Sequence, residues 1–156
     1  MSEFTIHSTI EIDTTAAAAW AVFGDGFGTW ADWAPGIERS TLQGPLAPGV
    51  IRTNETPSLG TVEQQLVHFD PQQRALAYEM RTLPPMFTAL RNDWVIEALG
   101  PERCRLRGTA VFVVASGAEP MASKLEGKMG MTLEVFVNAF RDHMQKARED
   151  QITAAS

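Results

Sequence analysis

From Pro120 to Arg148 the chain reads P-M-A-S-K-L-E-G-K-M-G-M-T-L-E-V-F-V-N-A-F-R-D-H-M-Q-K-A-R. After the opening proline there is no other, and the only glycines are Gly127 and Gly130. Large apolar residues recur at Leu125, Met129, Leu133, Phe136, Phe140 and Met144. Steps of three or four residues repeat one face of a helix. Proline at the start suits a first helical turn, where its missing N–H costs nothing. The stretch predicts one amphipathic helix, ~43 Å long at about 1.5 Å per residue. Gln151 to Ser156 carry no apolar pattern and read as a flexible tail, which leaves residues 1–150 as a single domain.

Working outward, the preceding sequence alternates with a period of two. Phe4 to Asp13 puts Phe4, Ile6, Ile10 and Ile12 on one face, with Ser8 among them. Six more runs follow: Ile37–Gln43, Val50–Thr56, Thr61–Phe69, Arg74–Thr82, Met86–Ala98 and Arg103–Val114. Gly- and Pro-bearing turns of hairpin length separate them. Between the first run and the rest, Asp13-Thr14-Thr15 offers N-caps for a short helix over Ala16–Phe23. A second helical turn is expected over Thr29–Trp33. Short connections favour antiparallel neighbours. The expected architecture is α+β: a curved seven-stranded antiparallel sheet wrapped on a long C-terminal helix, with two short helices after the first strand. The apolar faces of sheet and helix must bury each other. A curved sheet gripping one helix leaves a space between them, so a pocket is expected.

Composition narrows the function classes. At 156 residues the chain is long enough for a proper core. A net charge of −6 argues against a nucleic-acid partner, which needs a basic excess. Arg103, Arg105 and Arg107 share one strand face and read as an exposed, solubilising stripe. The single cysteine, Cys104, permits no intrachain disulfide, and the N-terminus shows no signal-peptide pattern. Both fit the cytoplasm. A nucleophilic role for Cys104 has no adjacent motif to support it. No run approaches the ~18 apolar residues of a membrane span. No metal is expected, because His7, His68 and His143 are scattered. No cofactor is expected either. Gly24, Gly26 and Gly28 follow a helix instead of a strand, and no Gly-Lys-Ser/Thr comes after them, so they are not a phosphate loop.

Several pieces resemble a known family. Trp20, Gly28 and Trp33-Ala34-Pro35-Gly36-Ile37 are similar to the opening of the polyketide cyclase/dehydrase branch of the START-like (SRPBCC) superfamily. Gly49-Val50-Ile51-Arg52-Thr53 resembles its "G-x-x-R" strand. Thr61-Val62-Glu63-Gln64-Gln65-Leu66, Asp70-Pro71 and Tyr78-Glu79-Met80 resemble the strands that follow. The order of pieces covers Phe4 to about Ala147. The resemblance implies the helix-grip fold, shared with birch-pollen-allergen-like proteins and plant abscisic acid receptors. The family often carries Glu at the position of Gln64. The plant receptors carry a ligand-binding Lys near the position of Glu38 and a longer gate loop than Pro57-Ser58-Leu59-Gly60, so their hormone role is not implied. Many members have an aromatic near Gly108, whose absence here would leave extra room in the cavity.

Alternation and resemblance together name a lining: Val62, Gln64, Leu66, Tyr78, Met80, Leu90, Asn92, Phe112, Met129, Leu133 and Phe136. Such pockets typically enclose ~300–1,000 Å³. Methionines there would make an adaptable apolar wall, with ordinary core packing as the alternative. A buried polar group without a partner costs about 1–3 kcal/mol, so Gln64, Tyr78 and Asn92 must meet protein, water or ligand. Ser8 reads as a satisfied core hydroxyl. His68 lies near a strand end, where plain solvation competes with function. The leading function is binding of a small hydrophobic or amphipathic molecule, with a homodimer left open. The alternative is a cyclase, aromatase or dehydratase. There Tyr78 or His68 would accept a proton, and Asn92 or Gln64 would face an oxyanion. Arg52 could hold an enolate or carboxylate, although an exposed strand arginine is the default. A protein-interaction module is a third class, for which no long apolar edge strand or basic tail speaks.

Overall fold

The computed structural model describes residues 2–155. The elements are β1 (Ser2–Ile12), α1 (Ala16–Phe23), β2 (Arg39–Leu42), β3 (Ile51–Thr56), β4 (Gly60–Asp70), β5 (Ala75–Met80), β6 (Phe87–Gly100), β7 (Arg103–Val114) and α2 (Ala122–Ala155). The seven strands form one antiparallel sheet in the order β1-β7-β6-β5-β4-β3-β2. The expected α+β helix-grip architecture is therefore the one observed. The second short helix is a 3₁₀ segment over Phe27–Asp32, slightly earlier than its expected place. The long helix continues past Arg148 to Ala155, taking in the stretch read as a tail up to that point, while Ser156 lies outside the described residues.

Local chemistry accounts for the boundaries. The Thr15 hydroxyl accepts the Ala18 N–H at 3.0 Å and caps α1, meeting one donor the helix leaves open. Leu125, Phe140 and Met144 of the predicted stripe are buried, while Met129, Leu133 and Phe136 are half-buried. That face of α2 lies on the sheet, and Met131 and Val135 on the opposite face stay exposed. The apolar interior divides in two. A larger cluster joins α1, the 3₁₀ segment and the C-terminal half of α2 to β4–β7. A smaller one gathers Phe4, Phe87, Phe112, Val114 and Leu125. Leu133 packs against both.

The other face of the sheet carries the charged residues. Arg103 and Arg105 both pair with Glu11, and Arg107 pairs with Glu97 at 2.8 Å. The three-arginine stripe is thus neutralised by neighbours, as a solubilising face would be. The two edge strands differ. β2 has four residues, whereas β1 has eleven and lies beside α2. A recess of about 530 Å³ separates Thr5–His7 of β1 from Ser123, Glu126, Gly127 and Gly130 of α2.

Cys104 is fully buried in the larger cluster, and burial pushes its thiol up to about 11. A thiolate is the reactive form, so this cysteine is structural. A disulfide reagent such as DTNB at pH 8 should leave the native protein unlabelled over an hour. It should titrate one thiol in denaturant. Rapid labelling of native protein would show that β7 opens readily.

Candidate functional site

The inner wall of the sheet carries a chain of polar contacts across five adjacent strands. Ser40 on β2 donates to Asn54 Oδ1 on β3 at 2.7 Å. Asn54 Nδ2 donates to Gln64 Oε1 on β4 at 3.1 Å. The same oxygen accepts from Arg52 Nε at 2.9 Å and from a terminal nitrogen of the Arg52 guanidinium. Gln64 Nε2 in turn approaches Met80 Sδ on β5 at 3.1 Å. On β6, Trp94 Nε1 donates to the Tyr78 hydroxyl of β5 at 3.4 Å. Antiparallel register explains the placement: Arg52 lies opposite Gln64, Asn54 opposite Val62, and Tyr78 opposite Asn92.

Arg52 is the centre of this network and is 0% exposed, which overturns the default of an exposed strand arginine. Its guanidinium lies 3.8 Å from the Phe27 ring centroid, 4.0 Å from Trp30 and 5.1 Å from Tyr78. A third hydrogen bond reaches the Phe27 carbonyl at 2.9 Å. Stacking on aromatic faces is favourable for a cation and helps hold it away from water. Burial lowers the Arg52 pKa to about 10, which still leaves it charged at neutral pH. Burial also raises the Tyr78 pKa, against the opposing pull of Arg52 and Trp94. Tyr78 is therefore a neutral hydroxyl, able to donate.

Asn92 is only 7% exposed, and its amide makes no hydrogen bond to protein among the described residues. It pairs in register with Tyr78 of the larger cluster on one side and Ala110 of the smaller cluster on the other. The seam between the two apolar clusters thus passes through Asn92. The Trp33 indole, packed on Phe136 and Phe140, also has a buried N–H with no acceptor.

The expected lining is spread along this seam. Leu66, Tyr78 and Phe136 belong to or pack on the larger cluster, and Leu90, Phe112 and Met129 belong to or pack on the smaller. Leu133 touches both. Val62 is buried and Met80 half-buried on the strands that carry Gln64 and Tyr78. Ser8 is half-buried opposite Gly108. His68 does not join them. A β-bulge between Leu66 and His68 inserts one residue into β4 and reverses the alternation. His68 is exposed as a result, and it lines a recess on the outer face with His7, Glu11, Asp93, Arg105 and Arg107. That recess is large, about 1000 Å³, but open, and its arginines are held by Glu11 and Glu97. Among the described residues the inner wall is the better candidate because it combines a fully buried charge with an unpartnered amide on a side chain only 7% exposed. Gly108 provides no extra room, since the Trp94 ring occupies the space a side chain there would take.

Of the residues at this centre, Arg52 was expected only as an optional holder of an enolate or carboxylate with exposure as the default, and Asn54, Ser40, Phe27 and Trp30 were not expected there at all. The signal for the first two lay in the hairpin. Once Val62, Gln64 and Leu66 face inward, pairing across the turn at 57–59 turns Asn54 and Arg52 inward too. Among the described residues no group of three or more His, Cys, Asp or Glu gathers in metal-binding fashion. No helix among the described residues is long and apolar enough to cross a membrane.

Comparison with known proteins gives a consistent picture. The family model described as polyketide cyclase/dehydrase and lipid transport matches residues 3–144. No curated protein matches the chain. The Zhui aromatase/cyclase from Streptomyces sp. R1128 superposes with a TM-score of 0.80 at 18% identity, covering 93% of this chain and 95% of its own. A norcoclaurine synthase point mutant from Thalictrum flavum, solved with a transition-state analogue, superposes at 0.74 with 15% identity, covering 94% and 97%. A Thermobifida fusca protein solved by NMR superposes at 0.73 with 24% identity, covering 91% and 93%. At these identities the superpositions establish the shared fold alone.

Proposed function

Because the chain belongs to the polyketide cyclase/dehydrase and lipid transport family, we propose that it binds a small, mainly apolar molecule between the sheet and α2, along the seam at Asn92. The observation that carries this reading is Asn92, a largely buried side chain in an apolar wall whose amide has no protein partner among the described residues and keeps a small opening to solvent. A ligand oxygen beside it would replace its residual solvent contact with a hydrogen bond worth about 0.5–1.5 kcal/mol. Tyr78, on the neighbouring strand, supplies a hydroxyl that already accepts from Trp94 and has its own proton to give.

Binding is favoured over catalysis by what the wall lacks. The buried polar residues are Thr14, Arg52, Asn54, Gln64 and Asn92, with no carboxylate or imidazole among those described. With His68 outside, no group on this wall accepts a proton near neutral pH. One arrangement supports the cyclase reading nonetheless. Arg52 and Trp94 both stabilise negative charge on Tyr78, as a general acid would require.

The two readings separate by mutation. Titration with the fluorescent apolar probe N-phenyl-1-naphthylamine should saturate at one site. Asn92→Ala should weaken it by about 1–2 kcal/mol, since one hydrogen bond goes unmade. Tyr78→Phe should change affinity little. Absence of saturable binding would end the proposal. Turnover of a polyketide-like thioester that Tyr78→Phe reduces ~10²–10³-fold would replace it with the enzymatic one.

A further inference from the structure

We propose that the molecule held in this interior carries an ionised oxygen, and that Gln64 selects for it by being an amide where a carboxylate would neutralise Arg52. The inference rests on the reading of the inner wall as a ligand site. Every partner of the buried guanidinium is neutral: the Gln64 amide oxygen, the Phe27 carbonyl and the faces of Phe27, Trp30 and Tyr78. Among the described residues no ion pair includes Arg52, although seven other arginines are paired with acids. A buried charge with no opposite charge is expensive, and proteins ordinarily pair or neutralise it. Arg52 cannot discharge near neutral pH, so the interior carries a standing positive charge.

The hydrogen-bond inventory leaves two guanidinium N–H groups without an acceptor among the described residues, although each of its three nitrogens already makes one bond. Gln64 and the Phe27 carbonyl take three of the guanidinium's five N–H donors. Gln64 Oε1 meanwhile receives three donors, two from Arg52 and one from Asn54. An amide oxygen has two lone pairs, so it is crowded with donors. A carboxylate at this position would take the same bonds and supply the missing charge from within. With glutamine there, the charge is left for the ligand. Tyr78 links the two features, lying 5.1 Å from the guanidinium on one side and opposite Asn92 on the other. An aromatic or aliphatic carboxylate or phenolate would thus meet Arg52 and Tyr78 with its oxygen, and the apolar clusters with its body.

The test compares two probes of nearly equal shape, 2-naphthoate and neutral 2-acetonaphthone, by calorimetry at pH 7.5. The wild-type protein should bind naphthoate ~10–100-fold more tightly, the worth of a hydrogen bond to a charged group. Gln64→Glu should remove that preference, because its own carboxylate occupies the charge. The same variant should raise the thermal midpoint by ~2–8 °C, since a buried cation gains its partner. Arg52→Met should also abolish the preference. Equal affinity for both probes in the wild type overturns this inference while leaving the binding role intact. A preference that survives Gln64→Glu overturns it as well, since Arg52 would not then be reading the charge. Failure of both probes to bind overturns the binding role and this inference together.

Discussion

Phe23→Ala should destabilise the protein by about 3–5 kcal/mol, the cost of emptying a large, fully packed aromatic site. Phe23 is fully buried, at the end of α1. Its ring meets Trp30 at 4.6 Å, Phe140 at 5.1 Å and Trp94 at 5.5 Å, with Trp33 and Phe136 just beyond. These partners come from the 3₁₀ segment, the sheet and α2, so one ring joins three layers. Its backbone carbonyl also accepts the Trp30 indole N–H at 2.9 Å. Domains of this kind hold only about 5–15 kcal/mol in total. The loss should show in urea unfolding followed by tryptophan fluorescence, as a midpoint shift with little change in slope. Phe23→Leu should lose less, because most of the volume remains. A loss below about 1 kcal/mol for the alanine variant would mean the aromatic cluster repacks around the hole.

Gly108→Ala should cost about 1–3 kcal/mol, although it adds only one methyl group. An added Cβ would sit 2.3 Å from the nearest atom of the Trp94 ring, with two more ring atoms within 2.8 Å. The two residues face each other across β6 and β7. The ring would have to leave a position fixed by Phe23, Phe136 and the Tyr78 hydroxyl. A double-mutant cycle identifies the cause. In a Trp94→Leu background the same methyl group should be nearly neutral. Equal cost in both backgrounds would place the strain elsewhere.

The long helix and most strands were legible because each has a single dominant period. Leu125 to Met144 keeps helical spacing across the whole stripe, β1 and β7 alternate cleanly, and β6 does so from Asn92 to Glu97, between irregularities at its two ends. Two features of the site were not. At the start of β3, Ile51 and the preceding Val50 are adjacent apolar residues, so hydropathy does not decide which parity faces inward. Only pairing with β4 turns Arg52 and Asn54 inward. In β4 the bulge after Leu66 breaks the period, and no glycine or proline marks it. Counting by twos therefore carries His68 to the wrong face. Gly108 shows a third limit: a missing side chain reads as space until the neighbour that fills it, Trp94, is known.

The sheet's two edges bear on how the protein behaves when concentrated. An edge strand presents unpaired amides and carbonyls that can template the addition of another chain, the first step of fibrous aggregation. β2 is only four residues long, and Arg39 stands within it, so it offers a short and charged template. β1 is long enough to recruit a strand, but α2 lies beside it and Glu3 and Glu11 stand on its exposed face. The same helix that closes over the interior thus guards the longer edge, and detaching it would expose both the apolar wall and a ready nucleus for polymerisation.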